Sequence, residues 1–234
     1  MRNPNLDLDT LATQFAVTGR LQIRDIFTLD AATATQTVLA NDVPWEYVFR
    51  RAGKEVLLSA RDIHLLQPAE RATISQQILA EAKEGFQFAF FKYSMVEAYR
   101  AGKDPDLFLH RVLETIAAGP FLEFAKSVTR DPRIGRIDAQ ATLYDAGNFL
   151  TVHDDESYDG QTRLYAYVLN FSDSWRADWG GQLQFHDHDG NVIQCFLPRF
   201  NSMSLFKVPT PHSVSMVTPF AHGPRLAITG WFTR

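Results

Sequence analysis

Apolar and polar positions follow two different rhythms along this chain. From residue 136 onward they form a succession of short β-like runs, 138–144, 164–169, 182–185, 192–196, 203–206, 213–217 and 226–232, separated by turn residues. Many short strands at such spacing indicate a sandwich or barrel. Before residue 136 the pattern is mixed. Residues 20–27 keep roughly a two-residue period through Leu21, Ile23 and the Ile26-Phe27 pair, which predicts an early strand. Asp30 is placed to cap a short helix running to Leu39. Residues 45–49 and 55–58 flank the turn signal Ala52-Gly53 and predict a hairpin.

After Pro68 the apolar spacing becomes helical. Ile74, Ile78 and Leu79 mark a helix over 69–82, and Leu109, Val112, Leu113, Ile116, Phe121 and Phe124 mark a second stretch over 106–128, broken at Pro120. A helix laid against a sheet produces such stripes, so these residues are read as scaffold. The expected fold class is α+β, mainly β, with helices covering one face of a β core. At 234 residues the chain is read as one domain, an extension over about 1–130 and a β core over about 136–234.

Composition narrows the partners more than the fold. Lys+Arg 23 against Asp+Glu 27 gives a formal net charge of -4 and no general attraction to a polyanion, so nucleic acid is not the expected partner. Cys195 is the single cysteine, which excludes an intramolecular disulfide and a cysteine-built zinc site and suits a reducing compartment. Residues 1–10 hold Asp7 and Asp9 and no apolar core of signal-peptide length, and no stretch has eighteen uninterrupted apolar residues. A cytoplasmic location without a membrane partner is the expectation.

The seven histidines differ in context. His153 closes an extended run, 148–155, where residues i and i+2 project to one side, so His153 and Asp155 reach one ion. A third ligand from a distant strand completes a set of two imidazoles and one carboxylate. His212, in 208–214, is the best candidate. That donor set suits iron(II) and leaves positions open for a bidentate cosubstrate and dioxygen. His186 and His188 flank Asp187 before Asp189-Gly190 and look like a second metal motif, but such a sequence marks a solvated hairpin tip. His222 lies in a loop.

The blocks around these residues carry a resemblance. They are Tyr144-Asp145-Ala146-Gly147-Asn148-Phe149-Leu150 before the His-x-Asp, Ala166-Tyr167-Val168-Leu169-Asn170, Trp179-Gly180-Gly181-Gln182-Leu183, Pro211-His212-Ser213-Val214, and Arg225 through Phe232. In this order they resemble the catalytic core of the 2-oxoglutarate/iron(II) dioxygenase superfamily, in its prolyl-hydroxylase-like branch. The resemblance implies a double-stranded β-helix (jelly-roll) core, iron(II) on His153, Asp155 and His212, and 2-oxoglutarate and dioxygen as cosubstrates; it allows ascorbate. Arg225 matches the arginine that pairs with the distal carboxylate of 2-oxoglutarate, a role its planar fork suits. Thr229, four residues on, faces the same side, and Tyr144 matches a tyrosine lining the cosubstrate pocket. One departure stands out: Val168 occupies a position where many relatives have tyrosine, whose hydroxyl helps hold the cosubstrate carboxylate. With Val168 inward, Tyr165 and Tyr167 face the other way.

Gly180-Gly181 is expected to permit a tight turn and close packing beside the metal strands. Asp154, Trp231 and residues 156–161 are placed to meet the substrate. The implied reaction is hydroxylation of prolyl residues in a protein, with a component of the translation machinery among the candidates. Two alternatives remain at this point: hydroxylation of free proline or another small metabolite, and a non-catalytic, metal-binding barrel of cupin-like shape.

Overall fold

The structure, a computed structural model, describes residues 1–156 and 162–234. The first part supplies α1 (Leu8–Thr18), β1 (Arg20–Arg24), α2 (Leu29–Asn41), β2 (Glu46–Arg51), β3 (Lys54–Ser59), α3 (Ala60–Leu65), α4 (Pro68–Glu84), β4 (Phe88–Tyr93), α5 (Met95–Arg100), α6 (Leu109–Ala117) and α7 (Gly119–Thr129). The remainder supplies β5 (Arg136–Ile137), β6 (Gln140–Tyr144), β7 (Phe149–His153), β8 (Arg163–Asn170), β9 (Leu183–His186), β10 (Val192–Phe196), β11 (Ser202–Lys207), β12 (His212–Val214) and β13 (Arg225–Thr233).

Local chemistry accounts for the boundaries. Asp7 caps α1 by accepting from the Thr10 N–H at 3.1 Å, and Gly19 ends it with a φ of 67°. The β2–β3 hairpin turns through Ala52 and Gly53, both at positive φ (50° and 77°), as a tight two-residue hairpin requires. The predicted break at Pro120 occurs one step earlier. Ala118 is extended (φ -71°, ψ 152°), and Pro120 sits in the first turn of α7, where its missing N–H costs nothing.

Strands run in the order β1-β11-β8-β13-β6-β4-β7-β12-β9-β10, with β2 on β4, β3 on β2 and β5 on β13. Every pairing is antiparallel. The two ends of this path meet through side chains: the Gln22 amide donates to the Leu197 carbonyl at 2.8 Å, and Arg20 donates to Gln194. The result is a nearly closed barrel of the double-stranded β-helix type. Strands from both parts of the chain belong to it, since β1 pairs with β11, and β4 with β6 and β7.

β13 shows how the barrel divides its residues. Leu226, Ile228 and Phe232 join the largest apolar cluster with Phe15, Leu39, Val112, Ile116, Phe121 and Phe124 of the helices. Arg225, Ala227, Thr229 and Trp231 alternate with them and face the barrel interior. Helices α1, α2, α5, α6 and α7 therefore share one face, as expected, while α4 packs separately against Phe49 of β2 and Ala89 of β4. Val168 lies inward beside Ala166 and Phe206, while Tyr165 and Tyr167 pack outward against the helices. Among the described residues no helix is long and apolar enough to cross a membrane.

Candidate metal centre

His153 ends β7, and His212 begins β12, its antiparallel neighbour; the two residues are direct cross-strand partners with ring centroids 4.1 Å apart. Asp155 lies beyond β7, and here the structure corrects the sequence reasoning. Its φ is 63°, so a left-handed turn, rather than strand alternation, brings its carboxylate back beside His153. Aspartate tolerates that conformation better than most residues because its short polar side chain bonds locally. Asp155 Oδ1 is 3.4 Å from His153 Nε2, and Oδ2 is 3.5 Å from His212 Nε2.

Both imidazoles are oriented for ligation. His153 Nδ1 lies 3.0 Å from the Thr151 carbonyl and His212 Nδ1 2.7 Å from that of Thr210. A carbonyl only accepts, so Nδ1 carries the proton and Nε2 keeps its lone pair toward Asp155. Burial, aided by neighbouring His153, pushes the His212 pKa down to about 4, so this ring is neutral at physiological pH. Burial pushes the Asp155 carboxyl up, but the adjoining His153 and His212 rings favour its ionised form and leave it below its ordinary value. Two imidazoles and a carboxylate, with one ligand atom from each within 4.8 Å of the others, form the group able to hold a metal ion among the described residues. His186 and His188 do not join it. His186 ends β9 and its Nε2 lies 2.8 Å from Ser213 Oγ, so only His188 is the solvated tip residue expected of that motif. His222 stacks on Trp179 at 5.7 Å.

The ligand set opens onto a cavity of about 480 Å³ inside the barrel. Arg225 lies in its wall, 1% exposed, with Nε lacking any partner and no protein carboxylate paired with it among the described residues. Its guanidinium carbon is 4.9 Å from the centroid of the Tyr144 ring, which stacks on Phe90 at 4.8 Å. Burial lowers the pKa of Arg225 and raises that of Tyr144, as expected for a charge and a phenol withdrawn from water. Thr229 also lines the cavity, its hydroxyl accepting from the Gln140 amide at 3.5 Å.

Gly181 does more than turn the chain. At φ 65° it lies against Arg225, and a Cβ there would come within 3.2 Å of Arg225 Cδ. Gly180 backs onto the Met216 carbonyl, leaving no room for a side chain. Asp154, Glu156 and Trp231 line the cavity as expected; the rest of the anticipated substrate loop, 157–161, lies outside the described residues. Sequence reasoning missed Phe86, Lys92, Thr142 and Arg163, which also line it. Arg163 sets its guanidinium 3.8 Å from the Trp231 ring centroid and donates to the Asp155 carbonyl at 3.3 Å. A cation ten residues after His153 carries no local signal of that contact.

The double-stranded β-helix thus brings two histidines and one aspartate together at the edge of an interior cavity, a donor set of the kind that holds a single divalent metal. Residues 139–233 match the family model of the 2OG-Fe(II) oxygenase superfamily. The chain is 27% identical over 198 residues to prolyl 3-hydroxylase sudestada1 of Drosophila melanogaster, covering 78% of this chain and 36% of that protein. It is 27% identical over 149 residues to prolyl 3-hydroxylase OGFOD1 of Mus musculus, covering 61% and 26%. It thus spans about a third of the curated relatives' length. Among solved structures, a Pseudomonas putida prolyl-4-hydroxylase shares the fold with a TM-score of 0.58 at 19% identity, covering 97% of this chain and 99% of the other. A Trichoplax adhaerens prolyl hydroxylase, solved with a hypoxia inducible factor peptide fragment, does so with a TM-score of 0.62 at 15% identity, covering 97% and 88%.

Proposed function

We propose that this chain is an iron(II)- and 2-oxoglutarate-dependent oxygenase that hydroxylates prolyl residues of a protein substrate. The observation that carries this reading is the convergence, in one cavity, of His153, Asp155 and His212 with a buried Arg225 that has no carboxylate partner among the described residues. The donor set fits iron(II), and a buried guanidinium calls for a carboxylate that the described residues do not supply.

In this reading His153, Asp155 and His212 hold the metal, and the Thr151 and Thr210 carbonyls fix the orientation of both rings. Arg225 anchors the distal carboxylate of 2-oxoglutarate, with Tyr144 and Thr229 beside it. When bound, iron and 2-oxoglutarate supply an oxidative decarboxylation coupled to C–H hydroxylation. Phe86, Arg163 and Trp231 frame the substrate side of the cavity, with an aromatic surface for an apolar ring and a cation for a peptide carbonyl. A protein substrate is supported by the prolyl hydroxylases among the relatives. Because β1 and β4 are strands of the barrel itself, we read the chain as one domain.

The test is 2-oxoglutarate turnover by the iron-loaded protein with prolyl peptides and with free proline, followed by mass spectrometry of the peptide. Succinate formation stimulated by peptide, with a gain of one oxygen on proline, is expected. Stimulation by free proline alone would contradict the protein-substrate reading.

A further inference from the structure

The acid pocket has a gap on one wall and an underused hydroxyl on the opposite one. Val168 packs with Ala166, Leu183, Phe206 and Ala227 and offers a carboxylate nothing. On the other side of β13, Thr142 of β6 is the direct cross-strand partner of Ala227. Direct partners in an antiparallel pair point to the same face, about 4.5–5.5 Å apart. Thr142 therefore faces inward with Ala227, and it lines the cavity.

Its level along the barrel is informative. Arg225 pairs with Tyr144, Ala227 with Thr142, and Thr229 with Gln140. Four residues of strand separate Arg225 from Thr229 by about 14 Å, and Thr142 stands halfway, one inward-facing position along β6 from Tyr144, whose ring the Arg225 guanidinium overlies at 4.9 Å.

Thr142 is 1% exposed, and among the described residues its hydroxyl makes one hydrogen bond, to the Ala227 carbonyl at 3.5 Å, the outer limit of such a bond. A buried hydroxyl so weakly engaged is free to donate elsewhere. A bound carboxylate offers about four lone-pair sites and a guanidinium fork engages two, so a second donor is needed in a wall that excludes water.

We propose that Thr142 donates its hydroxyl to the distal carboxylate of the oxo-acid, supplying from β6 the hydrogen bond that Val168 cannot supply from β8. This rests on Arg225 being the anchor for 2-oxoglutarate. It makes Thr142 a specificity-determining residue for that acid, since its level between Arg225 and Thr229 helps set where the carboxylate lies.

The experiment measures equilibrium binding of 2-oxoglutarate by calorimetry to the Mn(II)-loaded protein, without oxygen, for the wild type, T142V, T142A and T142S. Loss of a hydrogen bond to a charged group predicts an affinity lower by roughly 10- to 100-fold in T142V and T142A, with Mn(II) affinity unchanged. T142S keeps the hydroxyl and stays within about threefold of the wild type. Equal affinity in all four proteins, or a loss in T142S as large as in T142A, overturns the role of Thr142. Failure of the wild type itself to bind 2-oxoglutarate instead overturns the underlying reading of Arg225.

Discussion

Replacing Arg225 with methionine has two effects of opposite sign, and their combination separates an anchor for an absent acid from a structural cation. In the metal-free protein Arg225 is 1% exposed, its Nε is unpartnered, and it forms no ion pair among the described residues. Exchanging a buried charge for an apolar side chain of similar volume stabilises a protein by about 1–4 kcal/mol. For a chain of this size that raises the melting temperature by ~2–4 °C per kcal/mol. Ligand binding changes the other way. At a 2-oxoglutarate concentration about 100 times its Kd, the Mn(II)-loaded wild type gains about 2.7 kcal/mol. Removing one partner of a buried charge pair costs about 3–5 kcal/mol, so Kd rises by at least about 100-fold and the same concentration stabilises the variant by about 0.4 kcal/mol or less. Thermal melts of both proteins, with and without 2-oxoglutarate, read all four states. An R225M protein that is less stable than wild type without ligand, or that keeps the full ligand-induced shift, would refute the reasoning.

Gly181→Ala places a Cβ 3.2 Å from Arg225 Cδ at a backbone φ of 65°; we expect a stability loss of about 1–3 kcal/mol and weaker 2-oxoglutarate binding by calorimetry, and unchanged affinity would show that Gly181 does not seat the arginine. Acid should destabilise the metal-free protein through His212. Its folded pKa of about 4 lies below the ordinary 6.5, so the unfolded chain takes up a proton that the folded one refuses. Its contribution is intact above pH 6.5 and falls by about 3 kcal/mol on reaching pH 4. Urea titrations at pH 7, 5.5 and 4 should show a shallower decline in His212→Asn, and parallel declines would remove His212 as the cause. His153→Ala leaves two ligands, so Mn(II) affinity should fall by at least about 100-fold in a direct titration, and retained affinity would place the metal elsewhere.

The β part of the fold was legible because its runs are short and separated by turns. The candidate metal-binding group was legible because His153-x-Asp155 stands among blocks whose order is itself informative. The physical reason first assigned to that spacing was incomplete, since nothing local in the sequence announces that Asp155 adopts a left-handed conformation. β4 was missed because it is apolar on both faces: Ala89 packs toward α4 and Phe90 into the barrel, so no two-residue alternation marks it. α1 buries only Ala12 and Phe15, too little for a helical stripe, although Asp7 and Gly19 supplied its caps. The strand anticipated over 213–217 stops at Val214; Ser215 and Val217 instead donate their N–H groups to the Gln182 and Asn148 carbonyls. Arg163 and Thr142 were invisible for another reason, since their significance depends on cross-strand and cross-barrel partners far away in sequence.

The central claim, one site built for iron(II) and 2-oxoglutarate together, is tested most directly by anaerobic titration of the iron(II)-loaded protein with 2-oxoglutarate. Binding of the keto acid to the iron predicts a visible charge-transfer band that saturates with 2-oxoglutarate and is absent from His153→Ala and His212→Ala. Wild-type protein that holds iron(II) at this site and develops no such band would contradict the account.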